Sequence, residues 1–545
     1  EQAADQQVEH VLNRLAFGPA PGEAGRVRAM GVDRWIDAQL RPATIPDPEG
    51  DALARAYPVL DADPGALVRE YRDLQRMRRD STANRVALQA AAQEARAVVG
   101  GMQSARLARA VASERQLQEV MVDFWANHFS VFAGKGLVRL FIPQYERDAI
   151  RPHALGKFRD LLGAVAKSPA MLFYLDNWQS MADSAHPNLL SMERPALSRR
   201  AMRNQRVAAA RRSRGLNENY ARELMELHTL GVDGGYTQHD VIEVARALTG
   251  WTLDPQQGRY VFRPFMHDAG EKVILGTRFP AGGGEEEGER VLDLLARHPA
   301  TARFIARKLA VRFVSDTPPP ALVARAAATF TRTDGDIAEV VRTIVTSPEF
   351  FSRAAYRAKV KTPFELVASA LRAMGAAPDT TPRTAAIVAR LGQPIWGRQT
   401  PDGWPDQGEA WMNTGAILNR INFGLAVAGG RVPEVSIARW PAADSLRRLE
   451  PAAQVDGVIR ALLGGDASPE TRQILLSGEN PLASRGGNDM VPAEPMSPPM
   501  MRRPQGGRLN PGAAAAAQAL SRPVSLAGLP QVVGLALGAP EFQRR

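Results

Sequence analysis

The 545-residue sequence contains no cysteine. That excludes disulfides, thiolate zinc sites and a cysteine nucleophile. It also has no uninterrupted apolar stretch of the roughly 18 residues needed to cross a bilayer, so it predicts no transmembrane segment. Aromatic residues make up only 6% of the chain, and with abundant Ala, Leu and Arg this tilts the expectation towards helix. No Gly-x-Ser-x-Gly elbow and no Gly-x-x-x-x-Gly-Lys-Ser/Thr loop is present, which removes elbow-type serine hydrolases and P-loop nucleotide hydrolases. No run of five like charges stands out, although Lys plus Arg (68) exceed Asp plus Glu (58) to give a net charge of +10. Such an excess favours anionic partners without fixing one. The chain opens Glu1-Gln-Ala-Ala-Asp with no initiator Met, which reads as a mature end left by a removed signal peptide and predicts an exported protein.

What is present is helical periodicity. Val8, Val11, Leu12 and Leu15 recur at helical spacing, as do Leu117, Val120, Met121, Phe124 and Trp125. Further helices are predicted at about 155–167, 216–230, 238–250, 288–314, 320–332, 335–346, 363–374 and 384–391. The expected class is all-α and multi-helical, with at most one short β-hairpin near 258–276. Thr237-Gln-His-Asp240 predicts a capping box, and Ser347-Pro-Glu-Phe350 predicts a helix start that Gly538-Ala-Pro-Glu-Phe542 echoes, a hint of duplicated units. A main helical body over 1–435 is expected to precede a smaller C-terminal part, 436–545. The latter is interrupted by a Pro/Gly/Met-rich loop at 478–512.

The densest polar constellation is Gly215-Leu-Asn-Glu-Asn-Tyr-Ala-Arg-Glu-Leu-Met-Glu-Leu-His-Thr-Leu-Gly231. At about 100° per residue, Asn219, Glu223 and Glu226 fall within roughly 60° of one another, while His228 lies about 140° from Glu223. A second element must therefore supply any partner for the carboxylates. Glu223 and Glu226 are the candidate acid/base pair, with His128 as a proton carrier. His228, His267 and Asp268 are the candidate ligands of one divalent ion, a sulfur-free set suited to Ca, Mn, Zn or Fe. The competing reading makes the histidines satisfied core residues and the carboxylates members of ion pairs.

Arg222 and Asn219 flank this seam as candidate substrate contacts. Trp396, Trp404 and Trp411 lie in a Gly/Pro-rich loop beside Asp402, Asp406 and Glu409, where they would either stack on a sugar or pin the loop to the core. Arginines between Arg194 and Arg214 are a further candidate contact for sulfate, phosphate or carboxylate. The lack of interleaved aromatics there argues against a nucleic-acid surface.

The run Asn217-Glu-Asn-Tyr-Ala-Arg-Glu-Leu-Met-Glu-Leu-His-Thr-Leu-Gly-Val232, with Gly235-Tyr-Thr-Gln-His-Asp-Val241 and Ala247-Leu-Thr-Gly-Trp251, resembles the bacterial domain-of-unknown-function family number 1800. Phe124-Trp-Ala-Asn-His-Phe129, His267-Asp268, His298-Pro-Ala-Thr-Ala302, Lys361-Thr-Pro-Phe364 and Pro401-Asp-Gly-Trp404 extend that resemblance along nearly the whole chain. It implies an exported helical protein, periplasmic or secreted, often encoded beside a sulfatase-like companion. Two functions follow as expectations: a metal-assisted enzyme acting on an anionic or glycan substrate outside the cytoplasm, or a non-catalytic assembly or glycan-binding protein that works with that companion.

Overall fold

Apolar positions three and four residues apart define the helices of the structure, a computed structural model that describes residues 2–79, 85–183, 187–189, 192, 215–254, 256–478, 520 and 525–545. It is 62% helical with two short antiparallel pairs of strands, so the chain is mostly α. The elements that position the site are α1 (Gln2–Leu15), α2 (Arg85–Ala112), α3 (Gln116–His128), α4 (Glu218–Glu223), α5 (Gln238–Ala247), α6 (Glu285–Ala296), α7 (Pro299–Phe313), α8 (Pro363–Ala373), α9 (Thr414–Ala428) and α10 (Leu529–Gly538). One buried apolar cluster runs from Val8 to Phe542. The C-terminal part shares it, because α10 lies along α9, with Gly424 and Gly534 at the close approach of the two backbones. No helix among the described residues is long and apolar enough to cross a membrane. The 478–512 loop lies outside the described residues from 479 onward, and the Arg194–Arg214 cluster lies outside them entirely.

Local chemistry explains most boundaries. The Thr237 capping box forms, and Thr362 and Glu365 form a second at the start of α8. The helix expected over 288–314 is two helices, because Pro299 has no N–H to continue the ladder and instead opens α7, with His298 as its cap. Ser347 does accept the amide of Phe350 (3.2 Å), but only turns follow. Phe350 is drawn instead against the His10 ring, 4.5 Å away.

The expected single hairpin is two. Strand β1 (Trp251–Asp254) pairs with β2 (Arg259–Phe262), and β3 (Lys272–Ile274) pairs with β4 (Thr277–Phe279). The second turn, Leu275-Gly276, has positive φ at both positions (48° and 75°), the geometry that a two-residue hairpin loop requires. Asp240 at the start of α5 accepts the Leu275 amide at 2.7 Å and holds the turn.

Charge is also built into the interior. Glu365 of α8 lies 2.6 Å from Arg312 of α7 and 3.0 Å from Arg545, whose backbone pairs with Lys359. Asp406 is 3.0 Å from Lys359 and 3.6 Å from Arg545. Burial opposes the charged form of Glu365, but Arg312 and Arg545 outweigh it and hold the carboxyl below its usual range. Arg14 of α1 reaches the carbonyls of Phe313, Val314 and Ala355, tying the N-terminal helix to the end of α7.

Candidate functional site

The seam helix starts where Asn217 accepts the Asn219 amide at 3.0 Å and donates its own amide to Leu175 at 2.7 Å. After α4 the backbone widens into a π-helix over Leu224–Thr229, in which the Leu230 amide donates to the Met225 carbonyl (2.7 Å) and the Thr229 hydroxyl caps the Leu224 carbonyl (2.7 Å). Such turns are uncommon and concentrate at functional sites. Bonding to the fifth residue back also shifts the phase of every side chain beyond Leu224, which narrows the angle between Glu223 and His228 that ordinary α periodicity gives. Tyr220, Leu224, Met225 and His228 are buried, whereas Arg222, Glu223 and Glu226 are half-buried and Asn219 is exposed.

The two carboxylates stand in one electrostatic neighbourhood. Burial, then Glu226, then Asp402 raise the Glu223 carboxyl above its ordinary range, against the pull of Arg222. The Tyr236 hydroxyl lies 3.4 Å from Glu226. The Tyr174 phenol, pushed up by burial and then by Glu223 and Asp402, donates to the Gln399 carbonyl at 2.7 Å. Asp402 itself is held by Arg398 (2.9 Å) and Thr400 (2.5 Å). Lys308 of α7 brings a further group to this side. Burial lowers its amine to about 8, against Asp406 and Asp402, and among the described residues it has no hydrogen-bond or ion-pair partner. Arg222 is spent on Gln238 (2.7 Å) and Glu218 (3.6 Å).

The histidines separate into two places. His128 and His228 come together in the core, where His128 Nε2 donates to the His228 carbonyl at 3.1 Å and the ring centroids are 6.3 Å apart beside Phe129. Burial, followed by the Lys308 cation, depresses both rings, His228 to about 3. Both are therefore neutral. His267 and Asp268 belong to the hairpin junction. Asp268 is paired with Arg246 (2.8 Å), and the His267 ring lies between the Thr249 carbonyl (2.8 Å) and Glu287 (3.4 Å), which Lys272 also neutralises at 2.7 Å. Among the described residues no group of three His, Asp or Glu side chains is set to hold a metal ion.

The three tryptophans divide as well. Trp396 is buried beneath the Arg106 guanidinium, 5.0 Å from its ring, and buried Trp411 donates to the Pro405 carbonyl at 3.0 Å. Both pin the loop. Trp404 is half-exposed, with Arg398 5.3 Å from its ring. Its backbone is fixed to α3 by Asn127, which accepts its amide (2.7 Å) and donates to its carbonyl (2.8 Å). The neighbouring Gly403 has φ 76°, and a Cβ there would sit 2.3 Å from the Asn127 carbonyl oxygen. Gly403→Ala is therefore expected to cost about 1–3 kcal/mol and to expose Trp404 further. Urea unfolding and tryptophan emission read both effects, and an unchanged midpoint would refute this account of the loop.

A family model, protein of unknown function (DUF1800), matches residues 10–544. The chain belongs to that family. No curated protein and no solved structure matches it. Membership of DUF1800 agrees with the sequence resemblance along its whole length and assigns no activity.

Lys308, Tyr174, Tyr236 and Asn127 join this site without having been singled out in the sequence. Lys308 left no distinctive trace there, standing among Arg303, Arg307 and Arg312 on the same helix.

Proposed function

We propose that this DUF1800 chain is an exported acid–base enzyme acting on a glycan or other anionic, hydroxyl-rich molecule outside the cytoplasm. The observation that carries the reading is the half-buried Glu223–Glu226 pair on the π-turn, with Glu223 held above the ordinary carboxyl range. A carboxyl of that kind keeps its proton nearer neutrality and can donate it to a leaving group, while a neighbouring carboxylate activates water or steadies developing positive charge. Half-exposed Trp404 offers an apolar face for a sugar ring, with Arg398 beside it for an acidic substituent. Export is what the family resemblance implies.

The test is turnover of a panel of neutral, uronate-containing and sulfated polysaccharides by the purified chain, followed by reducing-end release. The wild type is expected to cleave at least one of them, and Glu223→Gln to lose about 10²–10⁴-fold in rate. Glu226→Gln removes a like charge that raises Glu223, so the acid-donor limb of the pH–rate profile moves to lower pH. Equal rates for the wild type and Glu223→Gln, or no cleavage across the panel, would sink the proposal.

A further inference from the structure

Behind the tryptophan loop lies a cavity of about 60 Å³ lined by Arg106, Asp123, Arg312, Trp396, Arg398 and Asp406, among others. A water needs about 10–15 Å³ on this measure, so the space holds the equivalent of about four to six waters and is too small for a sugar ring. Its hydrogen-bonding capacity is one-sided. The acids are committed: Asp123 to Arg106 at 2.8 Å with Arg312 at 3.8 Å, and Asp406 to Lys359 at 3.0 Å and Arg545 at 3.6 Å. The donors are not. Arg312 Nε and Trp396 Nε1 are buried with no hydrogen-bond partner, and these side chains are only 4% and 6% exposed. Trp396 is clamped under Arg106, and Arg312 is anchored on Glu365 at 2.6 Å, so neither can readily swing to another acceptor. Buried N–H groups of this kind are normally satisfied, and a planar cation donor beside an indole N–H suits an acceptor carrying negative charge.

We infer that this cavity is a binding site for a small oxyanion, of carboxylate or sulfate size, held by Arg312 Nε and Trp396 Nε1. Arg398, with a side chain 31% exposed, stands at the solvent side and draws the anion in. The two sites share Arg398, which also pairs with Asp402 at 2.9 Å, so Trp396→Phe tests the cavity and Glu223→Gln the seam, each without touching the other.

Isothermal titration of the full chain with sodium acetate and with sodium sulfate, at constant ionic strength, tests the inference. One equivalent of at least one anion is expected to bind. Trp396→Phe, which keeps a ring under Arg106 but deletes the N–H, should weaken binding by about tenfold or more. Arg398→Ala, a change at the partly exposed mouth that spares the core, should also weaken it. Methyl glucuronoside separates the two sources of such a group: binding as tight as acetate places the anion on a larger molecule, and exclusion makes it a free ion. Absence of binding by either simple anion, or affinities unchanged in both variants, overturns the assignment.

Discussion

Acidifying the protein from pH 6.5 to about 4.5 is expected to remove about 4–5 kcal/mol of stability through two histidines alone. His10 and His228 are buried and neutral, each depressed from 6.5 to about 3, chiefly by burial. His10 Nε2 donates to the Phe350 carbonyl at 2.8 Å, while its Nδ1 has no partner to accept a second proton. In the unfolded chain both rings take up a proton as pH falls through 6.5; in the folded chain they do not until about 3. Their contribution is therefore complete above 6.5 and is lost below it, at about 1.4 kcal/mol per pH unit per ring. His128, lowered in the same direction, adds to the loss. Glu365 and Asp406, held below their ordinary values, extend it below about 4. Glu9 and Glu223 are raised and work the other way. Since the net stability of a folded domain is about 5–15 kcal/mol, a loss of this size takes a large share of it. Urea midpoints across a pH series give the slope, and His228→Phe should flatten it by one ring's share. A midpoint constant from pH 7.5 to 4.5 would show that these rings are not buried as described.

Glu365→Ala is expected to be the most damaging single substitution in the charged interior, at about 3–5 kcal/mol. Glu365 answers both Arg312 and Arg545, each buried, and it also caps its own helix through the Thr362 amide at 2.8 Å. Truncation leaves two guanidinium groups short of a counter-charge in a medium that solvates them poorly. Arg312→Met in the same background should recover part of the loss, because a buried cation without its carboxylate is worse than an apolar chain of similar volume. Denaturant unfolding of the single and double variants measures the difference. If the double variant is less stable than Glu365→Ala alone, the stranded charge is not the cause.

The helices were legible because their causes are local. Val8 to Leu15 and the Thr237 box depend on neighbours within a few residues. The π-turn was not legible. Leu224–Thr229 ends in the weak helix formers His228 and Thr229, but nothing in its sequence specifies bonding to the fifth residue back. Spacing alone also could not separate the histidines, since His128 joins His228 across 100 residues while His267 pairs with Glu287 beyond the hairpins. Trp396 and Trp404 read alike in the sequence, and only the fold buries the first beneath Arg106 and leaves the second half-exposed with Arg398 over its ring.

Arg545 sits in the same interior as Arg14, and its backbone exchanges hydrogen bonds with Lys359 at 3.2 and 2.8 Å. The charged centre is thus assembled from residues hundreds of positions apart in sequence. Loop closure over hundreds of residues comes before the contacts that reward it. Until Arg545 docks, Glu365 is answered by Arg312 alone, and the second guanidinium completes the pair only when the Arg545 backbone pairs with Lys359. Consolidation of the charged core is in this way tied to the contacts of greatest sequence separation, which form last.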